Sequence, residues 1–286
     1  MYRRIIIAVC LLLSQGACSG LLFHPSKTME RTPDQLGLAY EDVYFKTEDG
    51  IKLHGWYLPA AGKPVGTILF VHGNAENIST HIFNVAWLPA KGFNVFLFDY
   101  RGYGLSQGSP SLPGVHRDFA AALHWLLKRP FAAAHGVVVF GQSLGAGVAI
   151  YGVAHSDVKA HIRALVAESA LSSYRDIARE KLAGFFLTWP LQWPLSYTLP
   201  DKYSPIYAIP HIKHIPILII HGDRDPIVPL HHGERLYAAA NAPKQFWRVK
   251  GGGHIQAFAF DEYREKLVMY LDDVYRTDQS KDRKPQ

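Results

Sequence analysis

Ser143, His254 and an aspartate at 223 or 225 are the residues of this chain whose types and order could do nucleophilic chemistry. A serine hydroxyl is a weak nucleophile until a neighbouring base takes its proton, and histidine suits that role because its ordinary pKa lies near neutrality. A third group must then hold the imidazole in place. Ser143 lies within VVVFGQSLGAGVA, where β-branched residues lead into a serine and on into an apolar, helix-like segment. Gly141-Gln142-Ser143-Leu144-Gly145 has the spacing of a nucleophile elbow, a turn too tight for side chains at the two glycines that drives the serine outward. The competing reading of such a serine is a helix N-cap. His254 stands in GGGHI, after the last apolar run. His72 and His221 end apolar runs and are expected to bond locally, while His211 and His214 read as loop residues. Asp223 and Asp225 both follow IPILIIHG, and either could be the acid or merely a turn-former.

These residues need elements that bring them together. GTILFVHG, FNVFLFDY, VVVFGQS, RALVAES, IPILIIHGD and QFWRVKG are continuous apolar runs without alternation, as expected for parallel strands buried on both faces. Helix-like segments separate them, Val115 to Leu127 among them, so βαβ crossovers and a mostly parallel sheet are expected. Two alternating stretches, Glu41 to Thr47 and Ile51 to Leu58, flank the turn Glu48-Asp49-Gly50 and predict an antiparallel hairpin at the sheet edge. Ligands bind at the carboxyl ends of such strands, and His72-Gly73-Asn74, Ser143, the two aspartates and His254 all fall there. Asp99 and Arg101, in DYRGYGLSQG, fall there too, with a loop-organising salt bridge expected of Arg101.

The 286 residues and 48% hydrophobic content suffice for a sizeable core. The net charge of +6 is scattered among 24 acidic residues, without the basic stripe that nucleic-acid binding requires. Cys10 and Cys18 are the only cysteines, which leaves the body of the chain without a disulfide or a cysteine metal site. Met1-Tyr2-Arg3-Arg4, the apolar run Ile5 to Leu13 and SQGACSG read as a signal-type segment. Gly16-Ala17-Cys18 is similar to a bacterial lipobox, with Gln15 a departure, so lipidation of Cys18 is expected on the periplasmic side of the envelope. Secretion, or an uncleaved anchor over Ile5 to Phe23, is the alternative.

From Ala39 to Asp273, VHGNAEN, DYRGYGLSQG, GQSLGAG, HGDRDPIVP and GGGHIQ occur in the order found in α/β-hydrolases, and the chain resembles compact, short-lidded serine hydrolases of that superfamily. The resemblance implies an α/β fold: a mostly parallel central sheet with an antiparallel N-terminal hairpin, helices on both faces and a short lid. It implies Ser143, Asp225 and His254 as the triad, with the backbone N–H groups of Asn74 and Leu144 as the oxyanion hole. The expected organisation is a signal segment over 1–18, a connector over 19–38, the domain over 39–275 with its lid at about 171–213, and a polar tail over 276–286. The expected activity is hydrolysis of carboxylic esters of apolar acyl groups through an acyl-enzyme, without cofactor or metal. Thioesterase or peptidase action would use the same triad; a non-catalytic binding module on this fold is disfavoured because no triad position is missing.

Leu182 to Pro200, LAGFFLTWPLQWPLSYTLP, carries no charge, but Pro190 and Pro194 preclude a continuous membrane-spanning helix. Its aromatics Phe185, Phe186, Trp189, Trp193 and Tyr197 are expected either to pack over the sheet edge or to roof an acyl pocket and touch the membrane.

Overall fold

The computed structural model describes residues 22–184 and 186–281. The six apolar runs form β3 (Gly66–Val71), β4 (Phe93–Phe98), β5 (Val137–Gln142), β6 (Ile162–Glu168), β7 (Ile217–Gly222) and β8 (Lys244–Val249). The hairpin supplies β1 (Glu41–Lys46) and β2 (Lys52–Leu58). The sheet order is β8-β7-β6-β5-β3-β4-β2-β1; β2 pairs antiparallel with β1 and β4, and every other pairing is parallel.

The absence of alternation in β3 to β7 has a direct structural cause, whereas the run QFWRVKG departs from the expectation: β8 lies at the sheet edge and leaves Gln245 and Arg248 exposed. Leu69, Val71, Val139, Leu165 and Ile219 enter the core on one face, while their neighbours Ile68, Phe70, Val138, Val166 and Ile220 enter the core on the other. Each such fully buried side chain contributes about 1.5–3 kcal/mol, so both faces must be covered by helices. α1 (Leu112–Leu126) and α2 (Leu144–His155) cover the first face, α1 through Val115, Phe119 and Leu123. The terminal helix, Asp261–Lys281, covers the second with Leu267, Leu271 and Tyr275. α1 begins before the expected Val115 because the Ser111 side chain accepts from Gly114 N and Pro113 suits a first turn. The terminal helix continues to Lys281, into the expected polar tail; residues 282–286 lie outside the described part.

The chain leaves β3 toward β4 on one side and later returns to β5 on the other. This strand-order reversal opens a crevice at the carboxyl ends of β3 and β5. The segment between β6 and β7, where the lid is expected, comprises α3 (Tyr174–Ala183), a 3-10 turn at Trp189–Leu191 and short helices at Gln192–Ser196 and Pro205–Ala208. No helix of the described residues is long and apolar enough to cross a membrane.

The expected connector is part of the body. His24–Pro25 pairs parallel with Ala75–Glu76, just beyond β3, and Phe23 is buried. Asn77 Nδ2 donates to the carbonyls of Ser26 and Thr28, fastening this segment over the crevice loop.

Candidate active site

Between β5 and α2 the backbone of Ser143 adopts φ 55° and ψ −120°, a region that non-glycine residues rarely occupy and that costs about 1–3 kcal/mol. The neighbouring glycines make the turn possible. A Cβ at position 141 would lie 2.6 Å from Ala146 Cα, and one at 145 would lie 2.2 Å from the carbonyl oxygens of Val71 and His72. Ser143 caps nothing with its side chain, which overturns the N-cap reading. Its hydroxyl instead meets His254 Nε2 at 2.9 Å, and His254 Nδ1 meets Asp225 Oδ2 at 2.8 Å. An ionised carboxylate can only accept, so Nδ1 carries the proton and Nε2 is free to accept from Ser143 Oγ–H. The other Asp225 oxygen accepts from the N–H groups of Ile227 and Val228, both at 2.9 Å. Burial works to raise the Asp225 carboxyl, but the His254 contact and these two N–H groups outweigh it and hold the group below its usual range.

Asp223 occupies a different position: its Oδ1 accepts from Gly251 N at 2.7 Å and bridges the loops after β7 and β8. The ambiguity between the two aspartates is thereby resolved by geometry, since Asp225 alone reaches the imidazole. His221 Nε2 donates to Val228 O, 2.8 Å away, beneath the Asp225 loop. His72 Nδ1 meets Gly73 O, and Arg101 forms ion pairs with Asp49 and Asp118, each at 2.8 Å, so it organises its loop.

Ser143 and His254 open into a cavity of about 520 Å³. Gly73, Asn74 and Leu144 line it beside the serine. As the first residue of α2, Leu144 has an N–H without a partner inside its own helix. The Asn74 side chain faces elsewhere, with Oδ1 accepting from His24 N and Tyr103 OH at 3.1 Å. The apolar wall is Leu22, Leu171, Ile177, Leu182, Ile227 and Val228.

The lid aromatics require a correction. Neither Phe186, Trp189, Trp193 nor Tyr197 lines the cavity, and all four face outward, Trp189 at 59% and Phe186 at 77% exposure. Phe185 lies outside the described residues. The roof is α3, which turns Ile177, Ala178, Lys181 and Leu182 inward. On another face of the same helix Arg179 stacks over Trp193 at 4.5 Å and Arg175 over Tyr197 at 5.3 Å, which holds those rings away from the cavity.

Sequence reasoning passed over two contributors. Leu22 and His24 form part of the wall although their segment reads as a polar linker. Glu168 ends β6 with a fully buried carboxylate, its Oε2 accepting from Gln142 Nε2 at 2.6 Å and its Oε1 from Ala257 N at 2.9 Å. The available signal was the charge itself, an acid closing the apolar run RALVAES at a strand's carboxyl end.

Among the described residues, Glu180, His231 and His232 come close enough together to share a metal. His232 Nδ1 accepts from Ser172 N at 3.1 Å, so the neutral ring carries its proton on Nε2, the atom that meets Glu180 Oε2 at 3.2 Å. That tautomer has no lone pair for a metal at the cluster, and the arrangement is a hydrogen-bonded tie between α3 and α4 (Leu230–Ala239).

A family model described as serine aminopeptidase, S33, matches residues 62–207. The chain is 36% identical to the uncharacterized Salmonella typhi protein YfhR over 283 residues, covering 93% of this chain and 92% of that one. It is 36% identical to the alpha/beta hydrolase domain-containing protein WAV2 of Arabidopsis thaliana, covering 76% and 72%. Among solved structures it superposes on the Pyrococcus furiosus esterase Pf2001 with a TM-score of 0.71 at 26% identity, covering 89% of this chain and 98% of the other.

Proposed function

Because the chain belongs to the serine aminopeptidase S33 family of the α/β-hydrolase superfamily, we propose that it hydrolyses carboxylic esters of apolar acyl groups through an acyl-enzyme on Ser143. The observation that carries this reading is the linear arrangement of Ser143, His254 and Asp225 at the floor of an apolar cavity. Ser143 Oγ attacks the acyl carbonyl carbon as His254 Nε2 takes its proton. The oxygen that gains charge is met by the N–H groups of Leu144 and Asn74, preorganised donors typically worth several kcal/mol each in such steps. His254 then returns the proton to the leaving alkoxide, water adds to the acyl-enzyme by the same route, and the carboxylic acid departs.

The cavity wall favours an ester over an aminopeptidase substrate. An aminopeptidase must pair its substrate's ammonium group, yet the described wall contains no carboxylate, and its charged side chain, Lys181, would repel that group. The structural neighbour described as an esterase supports the same choice. Purified protein offered p-nitrophenyl esters, acyl thioesters and aminoacyl amides is expected to prefer the esters. Aminoacyl amides turned over fastest would overturn the reading.

The wall also predicts chain-length dependence. Each methylene buried adds up to about 0.8 kcal/mol, so kcat/KM rises by up to about fourfold per methylene until the cavity fills. Ile177→Ala and Leu182→Ala are expected to flatten that slope, whereas Trp189→Ala and Trp193→Ala leave it intact. Identical slopes in all four variants would remove α3 from the acyl site.

The same reading extends to a membrane surface. Cys18 lies four positions before Leu22, whose side chain belongs to the cavity wall, and the outward-facing Phe186, Trp189, Trp193 and Tyr197 continue from α3, the cavity roof. Aromatic side chains of this kind suit the lipid headgroup region. Cys18→Ser is expected to shift the protein from the membrane to the soluble fraction, or to block its maturation. Unchanged fractionation with an intact Met1 would instead favour an uncleaved anchor.

A further inference from the structure

Glu168 touches both halves of the proposed active site. Its backbone oxygen accepts from Ser143 N at 2.8 Å, and its carboxylate joins Gln142, the residue before the serine, to Ala257 N in the loop that carries His254. The adjoining Ser169, at φ 51°, adds a second tie, its hydroxyl accepting from Ile255 N at 3.1 Å. A carboxylate without solvent is a costly way to hold two loops, because a neutral amide could tie them as well, accepting from Ala257 N and donating to a turned-over Gln142. The charge therefore needs a use, and the ionisable groups that act on it are His254, on the loop after β8, and Asp225, on the loop after β7.

We propose that Glu168 is a positioning residue that locks the Ser143 turn to the His254 loop and, as the anion, steadies the imidazolium formed at each acyl transfer. Asp225 meets His254 at Nδ1; Glu168 acts without contact, through the low-dielectric interior. Burial raises the Glu168 carboxyl to about 7, against the opposing pull of Gln142, Ala257 N and His254. The carboxylate thus changes charge in the range where the enzyme has to work. The acid limb of kcat should accordingly carry loss of the proton from Glu168.

The proposal rests on the triad reading, and Glu168→Gln tests it separately. The substitution is suited to the site because Gln142 Oε1 is buried without a partner. By turning its amide over, Gln142 can accept from the new NH₂ while the new carbonyl still accepts from Ala257 N. The expected result is a kcat lowered about tenfold with KM changed by less than about twofold, and an acid limb that has lost the Glu168 ionisation. A purely structural role would scale activity equally at every pH and leave the shape of the limb unchanged. Gln142→Met provides the complementary measurement: it removes a hydrogen bond that favours the Glu168 anion, so the Glu168 ionisation moves to higher pH. A Glu168→Gln enzyme with near-normal kcat and a superimposable acid limb overturns the proposal. So does a Gln142→Met limb unmoved or moved to lower pH. If Ser143→Ala retains turnover, the triad reading itself has failed, an outcome distinct from either.

Discussion

Ser143→Ala is expected to lower ester turnover by roughly five orders of magnitude while the protein stays folded. The reason lies in how the three side chains act. His254 can activate only what touches Nε2, and that is Ser143 Oγ at 2.9 Å; without it the base and its aspartate have no nucleophile to serve. The residual rate expected is that of a cavity that can still bind the ester and polarise its carbonyl through backbone N–H groups. Stability should change little, because alanine keeps the Cβ and hence the same backbone strain at φ 55°. The loss is one half-buried hydrogen bond of about 1 kcal/mol, which corresponds to about 2–4 °C in Tm for a domain of this size. Rates on a p-nitrophenyl ester, covalent labelling by a fluorophosphonate and a thermal melt check all three parts. Near-normal turnover by the pure variant would exclude Ser143 as nucleophile.

Asp225→Asn is expected to lower kcat by about 10⁴-fold, whereas Asp223→Asn changes it only a few-fold. The first effect is one of tautomer. An asparagine NH₂ facing His254 Nδ1 requires that nitrogen to accept, which moves the ring proton to Nε2 and leaves no lone pair for Ser143. The Ile227 and Val228 N–H groups enforce this orientation, because they claim the remaining oxygen. At position 223 an amide oxygen can still accept from Gly251 N, so the loop survives. The held-down Asp225 carboxyl is ionised throughout the neutral range, so acid loss of activity in wild type comes from other groups until the pH is well below neutrality. Comparable losses in the two variants would contradict the assignment.

Much of the fold is legible in the chain because parallel strands buried on both faces must be apolar at every position. The runs that became β3 to β7 therefore announce a covered sheet, and the alternating Glu41–Lys46 stretch announces its edge. Local chemistry marks the Ser143 turn just as directly: a Cβ at 141 or 145 has nowhere to go. The lid was not legible in the same way. Its aromatic content is plain, but which way a ring faces depends on Arg175 and Arg179, one helix earlier, and on the cavity wall claimed by Ile177 and Leu182. An apolar residue carries no address of its own.

By itself, then, the amino-acid sequence determined the order of the elements, the turn that exposes Ser143 and the positions at which a base and an acid could follow, because backbone sterics and hydrophobic burial act over a few neighbouring residues. The tertiary structure alone decided that Asp225 and not Asp223 meets His254, that Leu22 and α3 wall the cavity, and that Glu168 joins the Gln142 turn to a loop 89 positions beyond Glu168 itself. Directional contacts are satisfied or lost within tenths of an ångström, and only the closed sheet brings residues so distant in sequence to within that tolerance.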